Sequence, residues 1–197
     1  MTLEQYLAQH PKKYLIFDLD DTLAHLNINW NTIRQGVFDI VAQQDEQLVA
    51  DTVNERFATI YLANRAVTKH GEKMKDEITK FWTAYEKNNY SGYIPNSGLI
   101  TTLKSLDLRY KKYIWTTNTE FPINDFIQKE GLGSQFKKIV SHKTSLYLKP
   151  EADGFKDIYV PGTPLSDYLM IGDSINDMGA AKNAGIDFFE IDYFTRQ

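Results

Sequence analysis

The chain of 197 residues contains no cysteine. That excludes disulfides, zinc–thiolate and iron–sulfur sites, and a cysteine nucleophile. Long apolar runs are missing too, and none approaches the roughly 20 residues a helix needs to span a bilayer. Positive charge is not in excess: 22 Lys and Arg stand against 26 Asp and Glu, a net charge of −4. No basic face therefore points to nucleic acid. There is no internal repeat and no low-complexity stretch. The start, Met1 to Tyr6, lacks the basic-then-apolar pattern of a secretory signal, so a cytoplasmic protein without membrane contact is expected. What is present is an ordinary globular composition, 42% hydrophobic and 24% charged. The length suffices for one substantial core plus a small appended unit. Twelve tyrosines read as packing rather than a base-stacking surface. Nothing in the sequence sets an oligomeric state.

The most informative run is Tyr14-Leu15-Ile16-Phe17-Asp18-Leu19-Asp20-Asp21-Thr22. Four apolar residues read as a strand buried on both faces. Carboxylates at the end of such a strand are costly without a counter-charge. Asp18 and Asp20 stand at i and i+2, so in extended geometry both point the same way. Two like charges aimed at one place suggest a cation and a reaction there.

The rest of the chain divides into two patterns. From about residue 24 to 93 no strand is evident, and Ile33, Val37, Ile40 and Val41 share one helical face, as do Met74, Ile78, Phe81 and Tyr85. Three or four amphipathic helices are expected there. From about residue 94 helices and strands alternate. Helices are expected from Asn96 or Ser97 to Asp107, from Phe121 to Glu130, from Glu151 to Ile158 and from Ser174 to Ala184. Strands are expected at Tyr113–Thr116, Phe136–Val140, Tyr168–Ile171 and Phe188–Ile191. Such alternation implies an α/β fold with a parallel sheet. The helical stretch then interrupts that fold just after its first strand. Expected units are a core of residues 1–23 and 95–197 and an insert of residues 24–94. In open parallel sheets ligands bind beyond the carboxyl ends of the strands, the edge from which the insert departs.

Four features fall at predicted strand ends or in nearby loops: Asp18-Leu19-Asp20-Asp21-Thr22, Thr116-Thr117-Asn118, Lys149-Pro150 and Gly172-Asp173-Ser174-Ile175-Asn176-Asp177. Singly they are weak; their order and spacing are specific. Together they resemble the four motifs of the haloacid dehalogenase-like hydrolase superfamily. The helical insert resembles the cap of its phosphoglycolate-phosphatase-like branch. The resemblance spans about residues 13–192. It implies a Rossmann-like parallel sheet core with an inserted α-helical cap domain, Mg²⁺ dependence, and phosphoryl transfer from a small phosphorylated metabolite through an aspartyl-phosphate.

On that resemblance Asp18 is the nucleophile and Asp20 the acid and base. The Asp18 carboxylate, the Asp20 carbonyl and the Asp173 carboxylate are the Mg²⁺ ligands. Such chemistry needs an in-line nucleophile, neutralised charge and a proton for the leaving oxygen, and Mg²⁺ prefers hard oxygen donors. Asp177, one helical turn after Asp173, holds metal-bound water or orients Lys149. Thr117 and Asn118 donate to phosphate oxygens, Thr117 being favoured over Thr116 as the motif hydroxyl. Lys149 supplies positive charge. Asp21, where the family often has Gly, reads as a turn residue, and Thr22 as loop support. Asn176 stands between loop support and site contact. His25 is a cleft or a hinge residue. Arg34 is read as a surface arginine before a grip on a second anionic group. Lys182 and Asn183 read as solvated. The motifs leave open a phosphomutase of the same branch, and a non-catalytic binding protein on this fold is the remaining alternative. A dehalogenase fits less well, because it does not need the carboxyl of Asp20.

Overall fold

The computed structural model describes every residue except Arg56, Tyr193 and residues 195–197. Helix α1 (Leu3–Gln9) opens the chain, with Thr2 and Gln5 forming a capping box. It leads to strand β1 (Tyr14–Phe17). A short strand β2 (Ala24–Leu26) follows, then helices α2 (Trp30–Ala42), α3 (Glu46–Thr52), α4 (Ala58–His70) and α5 (Glu72–Asn89). Strand β3 (Tyr93–Pro95) returns antiparallel to β2. The remainder alternates: α6 (Ser97–Ser105), β4 (Lys111–Trp115), α7 (Glu120–Lys129), β5 (Phe136–Val140), β6 (Tyr168–Gly172), α8 (Ile175–Ala184) and β7 (Asp187–Glu190).

Five strands form one parallel sheet in the order β5-β4-β1-β6-β7. All four residues of β1 are buried, as its central position requires. Side chains alternate across the pleat. Leu15 and Phe17 join Leu3, Leu7, Leu99, Leu103, Ile123 and Phe126 on the face covered by α1, α6 and α7. Tyr14 and Ile16 join Trp115, Phe155, Ala180 and Ala181 on the face covered by α8 and the 3₁₀ turn Asp153–Asp157. Phe17 pairs with both Ile114 and Ile171. That register brings the loops after β1, β4 and β6 to one edge.

Helices α2–α5 bury a cluster of their own, with Ile33, Val37, Val41, Leu62, Met74, Ile78 and Trp82. Gly36 lets α2 and α5 approach closely: a Cβ there would stand 1.9 Å from Phe81. One residue from outside the helices, Leu148, is buried in this cluster. No described helix is long and apolar enough to cross a membrane.

Several elements differ from the sequence reading, among them strand β3, which was not expected. Residues 24–26 form a strand where none was expected, because β3 supplies a partner too short to show any alternation. The expected insert limits, 24 and 94, fall within this ribbon, whose Ala24 and Leu26 pack with the sheet's own cluster. The helix expected over 151–158 is only the 3₁₀ turn Asp153–Asp157. Helix α1, held by its capping box, carries too little periodicity in seven residues to be read beforehand.

Candidate active site

A cavity of about 260 Å³ opens at the sheet edge where β1, β4 and β6 end. Asp18, Asp20, Asp21, Thr117, Lys149, Asp173, Ser174 and Asn176 line it from the sheet side. Trp30, Phe57 and Ile60 line it from the helical side. Five of the seven motif residues singled out in the sequence therefore meet in one cavity, and Asp177 stands behind it.

Lys149 organises the floor. Its ammonium donates to Asp18 Oδ1 at 2.6 Å and also to Asp177 Oδ1. All three side chains are buried. Asp177 is fixed by its helix: Ser174 N–H (3.1 Å) and Ser174 Oγ (2.6 Å) donate to its Oδ2, within the capping box that starts α8. The carboxylate thus caps its own helix with one oxygen and holds Lys149 with the other. Gly172 makes room, since a Cβ there would stand 2.5 Å from Asp177 Cγ.

Asp18, Asp173 and Asp177 each offer a carboxylate oxygen, and these lie within 4.8 Å of one another. Burial is the main cause raising Asp18 above the ordinary carboxylate range, against the pull of Lys149. Asp173 is pushed up to about 6, first by burial and then by Asp177, while a hydrogen bond from Thr22 Oγ1 (3.0 Å) opposes this. Three close acids share one lysine, so the pocket is short of positive charge. Hard oxygen donors in that arrangement fit a divalent cation such as Mg²⁺.

Asp20 lines the cavity with its Oδ1 fixed by the Leu26 N–H at 2.8 Å. Burial, then the charge of Asp21, raises its carboxyl well above the usual range. Asp21 itself has φ +60°. Aspartate tolerates this left-handed turn better than most residues, and glycine would adopt it freely. Asp21 also meets His25 Nδ1 at 2.5 Å, which keeps His25 at the ribbon.

Thr117 lines the cavity, whereas Thr116 turns into its own loop and donates to Asn118 Oδ1 at 2.7 Å. Asn118 departs from expectation. It is fully buried and does not line the cavity. Its N–H donates to Thr116 Oγ1 (3.2 Å) and its side-chain amide to Glu86 Oε1 (3.3 Å). Both donors expected for phosphate are spent inside the protein. Asn176 has a buried Oδ1 without a hydrogen-bond partner beside the cavity. Arg34 donates to the Val53 carbonyl (2.8 Å), and Lys69 and His70 meet Asp45 (2.5 and 3.0 Å), so none of these cations reaches the site.

Phe57 and Ile60 escaped the sequence reading. Phe57 has φ +64° just before α4, a conformation costly for a bulky residue. No local pattern announces it.

This sheet order, the strand-end cavity and its acids define a Rossmann-like α/β fold of the haloacid dehalogenase type. The family model of haloacid dehalogenase-like hydrolases matches residues 15–191, and the chain belongs to that family. Among curated relatives, a phosphoglycolate phosphatase of Rhodospirillum rubrum is 26% identical over 192 residues, covering 92% of this chain and 80% of that protein. One from Agrobacterium fabrum is 27% identical over 183 residues, covering 87% and 76%. A subfamily IA hydrolase of the same superfamily from Geobacter sulfurreducens shares the fold at a TM-score of 0.53 and 16% identity, covering 91% of this chain and 89% of that one.

Proposed function

We propose that this protein is a Mg²⁺-dependent phosphatase of small phosphate monoesters, with residues 24–94 forming a cap over the core. The observation that carries this reading is Lys149 held between Asp18 and Asp177 beside Thr117 and Asp173. A buried carboxylate with a fixed ammonium beside it suits attack on a phosphoryl group, whose charge the ammonium offsets.

In this mechanism an Asp18 oxygen attacks phosphorus in line as the ester oxygen leaves, and Asp20 gives that oxygen its proton. The phosphoryl group is then bonded to Asp18. Asp20 next takes a proton from water, the water oxygen attacks phosphorus, and the P–O bond to Asp18 breaks, releasing inorganic phosphate. Thr117 and Lys149 hold the phosphoryl oxygens throughout. Mg²⁺, held by the Asp18 and Asp173 carboxylates and the Asp20 carbonyl, would supply the positive charge that these acids lack. The raised carboxyl of Asp20 supports its acting as the proton donor.

The cavity volume favours a small ester, and the names of the relatives make phosphoglycolate the first substrate to try. The helical side of the described lining is apolar, through Trp30, Phe57 and Ile60, so aryl and alkyl phosphates belong in the same panel. Wild type and Asp18→Asn are compared by phosphate release with Mg²⁺ present. Turnover by wild type and its loss in Asp18→Asn are expected. Equal rates in the two proteins would overturn the reading.

A further inference from the structure

Three buried polar side chains of α4 and α5 reach out of the helical unit. Each bonds a loop that carries or adjoins the phosphate-holding residues. Asn64 bonds both backbone groups of Leu148: its Nδ2 donates to the carbonyl and its Oδ1 accepts the N–H, each at 2.8 Å. Leu148 immediately precedes Lys149 and is itself buried among the insert's apolar residues. Glu86, fully buried, accepts the Thr119 N–H (2.9 Å) and the Thr119 hydroxyl, together with the Asn118 amide (3.3 Å). Trp82 Nε1 completes its shell at 2.9 Å. Thr119 is the N-cap of α7 but makes no side-chain cap bond of its own. A carboxylate from another unit stands at that helix start, where negative charge is favoured. Lys75 donates to the His142 carbonyl (2.8 Å), and His142 N–H in turn bonds the Asn118 carbonyl (3.0 Å).

The other half of the site is treated differently. Among the described residues no side-chain hydrogen bond runs from α2–α5 to residues 18–22 or 172–177. Those two loops are tied to each other by Thr22 and Asp173. The grip of the helices thus falls on one side of the cavity only, that of Thr117 and Lys149.

We infer that Asn64 and Glu86 are positioning residues, which complete the placement of Lys149 and Thr117 for phosphate while the helical unit is docked, in addition to the hold of Asp18 and Asp177 on Lys149. This rests on the phosphatase reading of the same site. It goes further in making cap docking the event that completes the phosphate-holding half, while the acids that would hold the cation stay in place without it. A swing of α2–α5 about the β2–β3 ribbon breaks the Leu148, Thr119 and His142 bonds together. Buried groups left without partners make such partial states costly, so docking is cooperative.

The test uses Asn64→Leu, Asn64→Asp and Glu86→Gln in the full chain, with Val37→Ala as a control. Val37 is buried in the insert's own cluster, and its side chain has no polar atom to bond either loop. Calorimetry measures the affinity for inorganic phosphate with Mg²⁺ present and the affinity for Mg²⁺ alone. Aryl phosphate kinetics give kcat and KM. Each positioning variant is expected to weaken phosphate binding about tenfold, the worth of one buried hydrogen bond to a positioned group, and to lower kcat. Mg²⁺ affinity is expected to stay within about twofold of wild type. Asn64→Asp keeps the acceptor for Leu148 N–H and is expected to fall between wild type and Asn64→Leu. The control is expected to lower Tm with phosphate affinity unchanged. Unaltered phosphate affinity in folded variants of both positions overturns the proposal, as does an equal loss of Mg²⁺ affinity or an equal effect of Val37→Ala. A wild type that turns over no ester yet binds phosphate in this pattern would reject the phosphatase reading and keep the positioning role.

Discussion

The Thr22 hydroxyl donates to Asp173 Oδ1 across 3.0 Å, so one hydrogen bond joins the loop after β1 to the loop after β6. The Thr22 end is secured elsewhere: Asn96 Nδ2 donates to the Thr22 carbonyl at 3.0 Å, and Thr22 is fully buried. Thr22→Val keeps the shape and removes the donor. A hydrogen bond to a charged group contributes about 1.5–3 kcal/mol. Thr22→Val is therefore expected to unfold more readily in urea by about that amount and to need several-fold more Mg²⁺ for half activity. Thr22→Ser is expected to stay close to wild type in both measurements.

Lys149 neutralises two buried acids at once. Removing one partner of a buried ion pair costs about 3–5 kcal/mol, because the remaining charge stays uncompensated. Lys149→Met is expected to lose about that much in metal-free denaturation. Adding Asp18→Asn in the same chain is expected to return part of the loss. A double variant no more stable than Lys149→Met alone would show that Asp18 is not the charge Lys149 serves.

Gly172 ends β6 directly beneath the Asp177 carboxylate. Gly172→Ala forces a methyl group into atoms that hold Lys149. Overpacking of this kind costs about 1–3 kcal/mol. The expected signature is a lowered Tm together with at least a tenfold drop in kcat, as Asp177 is pushed off the lysine. Full activity with only a lower Tm would mean that Lys149 does not depend on Asp177.

Lys75 is buried, and burial brings its ammonium down to about 8 from the ordinary 10.5. Between those values the unfolded chain binds the proton and the folded chain does not. Stability from this group is therefore flat below about pH 8 and rises from there to about pH 10.5. Lys75→Met removes the titration. Wild type is expected to gain denaturation midpoint relative to Lys75→Met as pH rises from 8 to 10; parallel curves would contradict the assignment.

Much of the candidate site is legible in the sequence. Asp18, Asp20, Thr117 and Asp173 follow apolar runs that end as strands, the strand ends of a parallel sheet converge, and Lys149 reaches the same cavity from the loop after β5. The preference for Thr117 over Thr116 rests on the motif, and Thr117 lines the cavity while Thr116 bonds within its own loop. Asn118 was misplaced because its amide points to Glu86, 32 residues earlier in the chain. Nothing within a short window reveals such a partner. Glu86 did leave a trace: Lys75, Ile78, Trp82 and Glu86 share the buried side of α5. Two charged residues on an apolar stripe mark places where a helix meets polar groups of another unit. The stripe is readable, but those groups are not.

The sequence alone determined the α/β alternation, the helical interruption after the first strand and the acids at the strand ends. Each is a local consequence of periodicity, chain direction or residue type. Tertiary structure alone decided which loops the helices grip, that Asn118 turns away from the cavity, and that Trp30, Phe57 and Ile60 face it. Those outcomes depend on helix orientation and on hydrogen bonds between residues 32 to 84 positions apart. Burial makes such bonds decisive, because an unpartnered polar group inside the protein costs more than any local preference can return.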